Sequence, residues 1–204
     1  MALSGAFSGW DLSLYGAHVF DDQFHLKRTG VGKVRRKHSR LTMVGAAVNV
    51  ARGNWLLKAE TAYLYGFEFL ALPGEEKPRW DVLLGLEYLG LSETTISLEV
   101  ANRHLFEFDD RLRGGPEDAR EDDFQWAVRI SRDFLHDRLN LTILALVFGS
   151  RGQNGSFERI QSSYDVTDNW NLTAGLLIFQ SGEKAIFGGI GDNDRLFVKL
   201  KYSF

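Results

Sequence analysis

The last eleven residues, Asp194 to Phe204, constrain the fold more than any other stretch. Leu196, Val198, Leu200, Tyr202 and Phe204 take every second position. Arg195, Lys199, Lys201 and Ser203 fall between them, and only Phe197 breaks the polar set. Successive side chains of a strand point to opposite faces, so this segment predicts a strand with one apolar and one mostly cationic face. A soluble protein rarely puts its most regular amphipathic strand at a terminus, where chains usually fray.

The same alternation recurs along the chain and predicts ten strands. The first is Trp10 to Phe20, followed by a polar segment, Asp21 to Lys37, rich in Lys and Arg. The second, about Ser39 to Val50, is ambiguous in facing, because Val44, Ala46, Val48 and Val50 compete with Leu41, Met43 and Ala47. The third, Trp55 to Phe67, sets Trp55, Leu57, Tyr63, Tyr65 and Phe67 against Lys58, Glu60 and Leu64. A loop with Pro73-Gly74 leads to a fourth strand starting at Trp80, and the fifth runs from Ile96 to Phe108. An acidic loop, Asp109 to Asp123, is interrupted by Gly114-Gly115-Pro116. The sixth to ninth strands begin near Phe124, Leu139, Arg159 and Trp170, and the terminal strand is the tenth.

The connections sharpen the prediction. Those after strands one, three, five, seven and nine are the longer ones, and those after two, four, six and eight are tight turns. This alternation is the plan of outer-membrane barrels, with short periplasmic turns and longer outer loops, whereas sandwiches mix connections through Greek keys. An even count also predicts both termini on the periplasmic side. Trp10, Trp55, Trp80, Trp126 and Trp170 all fall on the apolar set near strand starts. With Tyr202 and Phe204 they form a candidate aromatic girdle, since an indole is apolar yet its N–H seeks water. A soluble lipid-binding barrel would turn the apolar face inward. Ten strands about 4.8 Å apart and tilted about 40° enclose only roughly 20 Å, too little for those side chains and a ligand.

Composition agrees. Gly is abundant at 21, Pro scarce at 3, and aromatics reach 13%, which suits strands and turns. There is no Cys, which excludes disulfides and thiolate chemistry. The net charge of −3 gives no reason to expect nucleic-acid binding. The N-terminal stretch has no basic segment and no apolar run of signal-peptide type. An envelope protein needs one, so the chain is expected to be a mature form or the C-terminal part of a longer chain, with a single barrel domain over 1–204.

Lys58, Glu60, Glu87, Glu99, Arg103, Arg129 and Lys199 are the lumen and constriction candidates. A ring of charge screens passing solutes, while a salt-bridge network filling a narrow lumen is the structural alternative. The basic segment around Lys27 to Arg40 could meet lipopolysaccharide phosphates. The acidic loop lacks EF-hand spacing, so no metal and no cofactor is expected. His25, His38 and His136 fall in loops or turns, His18 and His104 on the apolar set, and no Ser–His–acid constellation assembles.

The terminal strand resembles that of bacterial outer-membrane β-barrels, which closes the barrel and is recognised by the assembly machinery. The stretch RWDVLLGLEYLGLSETTISLEVANRHLFEFDD, Arg79 to Asp110, resembles a segment near the C-terminal end of an uncharacterised family of large proteobacterial outer-membrane proteins. Its members are often encoded near exporters of the resistance–nodulation–division type. That resemblance implies a C-terminal fragment, with ten strands forming an arc of a wider barrel. The fold expected is an all-β, transmembrane, antiparallel up-and-down barrel of the bacterial outer membrane. The function expected is porin-like passage of small solutes, or an outer-membrane component of an export pathway. A structural or adhesion barrel acting through its outer loops is the alternative, an outer-membrane hydrolase is third, and the chain is not expected to be an enzyme. Outer-membrane lipid, lipopolysaccharide, the assembly machinery and an export complex are the expected partners.

Overall fold

The computed structural model describes residues 1–113 and 118–204. Gly114, Gly115 and Pro116, which interrupt the acidic loop, lie outside the described residues. Eleven strands follow one another: β1 Ala2–Phe7, β2 Trp10–Gly30, β3 Lys33–Arg52, β4 Trp55–Phe69, β5 Leu72–Leu91, β6 Thr94–Leu105, β7 Asp122–Phe134, β8 Leu139–Phe148, β9 Ser156–Asp165, β10 Trp170–Gln180 and β11 Arg195–Tyr202. They form one sheet in sequence order, β1 to β11, so the fold is all-β, antiparallel and up-and-down. Among the described residues β1 and β11 are the two ends of that order, and no ladder joins them to close a barrel.

Three expectations need correction. The count is eleven, not ten, because Ala2–Phe7 pairs with β2. Its small residues carry little alternation, and it is fixed by its ladder and by the Met1 amine donating to Gly16 O at 2.7 Å. An odd count makes β1 and β11 run in the same direction, which overturns the expectation of both termini at one end. Second, the polar segment 21–37 and the stretch with Pro73-Gly74 are not loops. They are the far halves of 21- and 20-residue strands β2 and β3 and the first part of β5, so Trp80 lies inside β5 rather than at its start. Third, β6 stops at Leu105, before Phe106 and Phe108.

Alternation between tight and extended connections holds only from β5 onward, because β2 to β3 and β4 to β5 are joined by two-residue turns at 31–32 and 70–71. Gly9, Gly53 and the turns at 92–93, 135–138 and 166–169 close one set. Gly9 and Gly53 take φ of 82° and 58°, a region open to glycine. On the other set the chain either lengthens its strands or inserts segments 106–121, 149–155 and 181–194.

The residues gather into two compact units. One is Met1–Val50, Lys58–Leu84 and Ala101–Asp123, and the other is Ala51–Leu57, Gly85–Val100 and Phe124–Phe204. In the first, register settles the facing of β3: Val50, Val48, Ala46 and Val44 sit opposite Trp10, Leu12, Leu14 and Gly16. Its small buried core is Leu72, Leu105 and Leu112 with Phe69, Ala71, Phe108 and Ala119. Leu112, in a 3-10 turn capped by the Asp109 side chain, ties the acidic segment down. The second unit is the continuous ladder β7 to β11 with the turns that precede it. There Gly155 packs under Phe187, and Gly182 runs so close to the backbone of Asn154 and Gly155 that no side chain would fit.

Candidate functional site

Within the second unit the sheet has its polarity reversed relative to a soluble domain. One face carries Ile130, Ile143, Ile160 and Leu176 in register across β7, β8, β9 and β10, then Leu196 on β11. A neighbouring row pairs Leu172 with Leu200, and Ala174 faces Val198. These side chains are exposed: Ile143 keeps 40% of its surface, and Leu196 79%. Charge enters this face at two positions, Arg132 between Ile130 and Phe134 on β7, and Glu158 two residues before Ile160 on β9, beside Ser156 and Gln180.

The opposite face is polar toward the turns at 135–138 and 166–169, and carries Leu144, Leu146, Phe157, Leu177 and Phe179 toward its other end. Asp133 faces Asn140, Asn140 faces Ser163, and Ser163 faces Thr173. Asn140 donates to Asp133 at 2.7 Å, and Thr142 donates to Asn140 at 2.9 Å. Asn171 donates to Ser163 at 2.9 Å and to Asp165 at 2.8 Å, and Thr173 donates to Asn171 at 3.0 Å. Thr173 is only 8% exposed. Buried polar groups are tolerated where they are satisfied, and this ladder satisfies them across four strands. Phe197 breaks the terminal strand's polar set because it lies on this face. Its ring fills the space above Gly175, where a Cβ would come within 2.6 Å of it, and the Arg159 guanidinium lies over it at 5.6 Å.

Aromatic rings mark the margins of the apolar field. Trp170 meets Tyr202 at 4.8 Å and Tyr202 meets Phe204 at 6.4 Å, beside the turn before β10. Trp55 meets Tyr88 at 4.4 Å. Trp126 and Phe134 bracket Val128 and Ile130 on β7. Those eight steps of strand, at about 3.3 Å each and a tilt of about 40°, span roughly 20 Å. In the first unit Phe7 stacks on Trp10 at 4.2 Å, and Trp80 donates its Nε1–H to Thr61 at 2.6 Å.

The charged candidates all lie in the alternate, polar register. Glu60, Glu99, Arg103, Arg129 and Lys199 are exposed, and Lys58 and Glu87 half-buried. Glu87 accepts from Ser97 at 3.4 Å. Arg129 faces Leu144, which faces Arg159, and Lys199 faces Thr173. Lys58 and Glu60 belong to the first unit, Glu87 and Glu99 to the second.

Sequence spacing missed a cluster at the far end of β2, β3 and β4. Glu68 holds Lys37 at 2.6 Å and Lys27 at 3.3 Å, and its Oε2 lies 3.7 Å from Nε2 of His25. The Glu68 backbone N–H donates to Ser39 Oγ at 3.2 Å, and that hydroxyl meets Nδ1 of His25 at 3.1 Å. Ser, His and an acid therefore do come together, contrary to the sequence expectation. Ser39 is 2% exposed, and its hydroxyl already accepts a backbone N–H. Its work is to fasten three strands. A second histidine, His104, lies 3.0 Å from Asp122.

The hydrogen bond from Lys37 holds the Glu68 carboxyl below its usual range, against desolvation, and raises Lys37. A depressed carboxyl contributes stability above its ordinary pKa and loses it as pH falls through the depressed value. A raised lysine contributes below its ordinary pKa and loses it as pH rises through the raised one. Amide exchange along 33–40, corrected for intrinsic rates, is therefore expected to be slowest at neutral pH and to quicken in acid. Glu68→Gln should remove the acid limb. An exchange rate indifferent to acid in the wild type would count against this cluster as the fastener.

Neither the curated proteins nor the solved structures contain a match to this chain. One family profile does match, over residues 1–204, and its description is Protein of unknown function (DUF1302). With the whole length covered, the chain belongs to the DUF1302 family.

Proposed function

We propose that the chain works in the bacterial outer membrane as a transmembrane β-barrel wall. Its apolar face lies against lipid, and its polar face lines a path for small solutes. That path serves passive passage or the outer-membrane step of an export pathway. The observation that carries the reading is the reversed burial of β7 to β11: large aliphatics exposed, hydroxyls and amides covered. A soluble sheet with that arrangement would present an apolar patch far larger than soluble monomers keep. The ten-residue strands β8 and β9 match the length of a tilted crossing. The rings at the margins of the field suit the two interfaces. The apolar face of β11 suits recognition by the barrel-assembly machinery.

Lipid leaves no water for unpaired backbone groups, so the membrane form requires partners for the outer edges of β1 and β11. Because those strands run in the same direction, pairing them with each other would make a parallel rung. Planar-bilayer recording tests the path. Folded protein is expected to conduct, and Glu60→Gln, Glu87→Gln and Glu99→Gln together are expected to lower its preference for cations. Folded, inserted protein without conductance would overturn the solute path. Conductance with unchanged selectivity would remove these carboxylates from it.

A further inference from the structure

We propose that the lipid-side face of the β2–β3 hairpin beyond Phe20 binds the phosphates of anionic lipid headgroups. The inference rests on the membrane reading above and names a ligand for it. Four successive rungs of the hairpin each join an apolar side chain to a basic one: Phe20 with Arg40, Phe24 with His38, Leu26 with Arg36, and Val34 with Arg28. β3 keeps strict alternation here, because the register shift between Phe20 and Phe24 takes its extra residues from β2. Arg36 and Arg40 thus share a face with Val44, Ala46 and Val48, which stand opposite Gly16, Leu14 and Leu12. The ladder continues the apolar face of the same two strands.

Two of the cations are held in place. The Arg36 guanidinium lies over the Phe24 ring at 4.5 Å, and that of Arg40 over Phe20 at 4.9 Å. Phe20, Phe24 and Val34 are themselves exposed. The nearby carboxylate is committed elsewhere, since Glu68 pairs with Lys27 and Lys37 on the other face. Asp21 is occupied by the backbone N–H of Gln23 at 3.0 Å. Among the described residues no carboxylate pairs with Arg28, Arg36 or Arg40. A guanidinium stacked on a ring keeps its N–H fork free for bidentate bonds to phosphate. The apolar half of each rung is what a soluble phosphate would not need. A surface half apolar and half cationic fits the boundary where acyl chains give way to charged headgroups. The chain as a whole is net −3, so this is a local concentration of positive charge.

The test uses the full chain reconstituted in phosphatidylcholine vesicles containing spin-labelled phosphatidylglycerol or spin-labelled phosphatidylcholine. The fraction of each probe immobilised at the protein is read by electron paramagnetic resonance. The wild type is expected to select phosphatidylglycerol, more weakly at high salt. Arg36→Gln and Arg40→Gln should each cut that selectivity by about fivefold. Phe24→Ala should cut it too, by releasing Arg36. Arg35→Gln removes the same charge one residue away, on the opposite face, and should leave it unchanged. Equal selection of the two probes, or an equal loss from Arg35→Gln, would overturn the proposal. So would full displacement of phosphatidylglycerol by inorganic pyrophosphate, which would mark a site for soluble phosphate. Quenching of tryptophan fluorescence by brominated lipid reports insertion separately. Inserted protein without selectivity sinks only this inference, whereas protein that never inserts sinks the membrane reading and this inference with it.

Discussion

Ile143→Arg is expected to cost about 2–4 kcal/mol of folding stability in vesicles, the penalty for a basic residue near the bilayer midplane of a barrel wall. Ile143 sits halfway along β8, between Ile130 of β7 and Ile160 of β9, and 40% of its surface is open. If that surface met water, the same substitution would change stability by less than about 0.5 kcal/mol, as exposed positions usually do. The two outcomes are far enough apart for a urea titration of folded protein in vesicles to separate them. Depth supplies the internal comparison. Val166 is also exposed, but it lies in the turn between β9 and β10. Val166→Arg should cost no more than about 1 kcal/mol, because arginine there reaches the interface. Equal, small effects at both positions would remove lipid from the account of the apolar face.

The strands most legible in the sequence were those where one face is wholly apolar. β10 and β11 keep an unbroken apolar face, although Leu177, Phe179 and Phe197 interrupt the polar one, and Leu172 opposite Leu200 follows from it. β1 was not legible, because Ala2, Ser4, Gly5 and Ala6 carry almost no hydrophobic contrast and depend on β2 for their place. The charge density of the far halves of β2 and β3 predicts a loop, because charge runs usually stay in water. In the fold the basic residues on one face of the hairpin each share a rung with an apolar partner on the other strand, while on the opposite face Lys27 meets Arg35 and His25 meets Lys37, a pairing that only register reveals. The same limit hid the Glu68 cluster, whose members come from three strands. The polar ladder of Ser131, Asn140, Thr142, Ser163 and Thr173 is signalled by polar residues at every second position of facing strands rather than by charge.

Gly66→Ala is expected to be the most damaging substitution of a single small residue in the first unit. Gly66 takes φ of 115°, outside the range an L-residue adopts freely, and it is buried. Moving alanine into such a conformation costs about 1–3 kcal/mol. Space is lacking as well, since a Cβ would run into the carbonyl oxygen of Arg40. Backbone cannot yield as a side-chain tip does, so overpacking adds about 1–3 kcal/mol more. The strain would be relieved by moving β4 away from β3. Glu68 lies two residues further on, and its N–H bond to Ser39 and its grip on Lys37 depend on that approach. Gly66→Ala should therefore lower the unfolding midpoint and also expose the amides of 33–40 to exchange at neutral pH, reproducing what acid does to the wild type. Gly16→Ala is the control, because a Cβ there meets nothing within 4 Å. If both substitutions shift the midpoint alike, close approach of the β4 backbone to β3 is not what holds the hairpin in register.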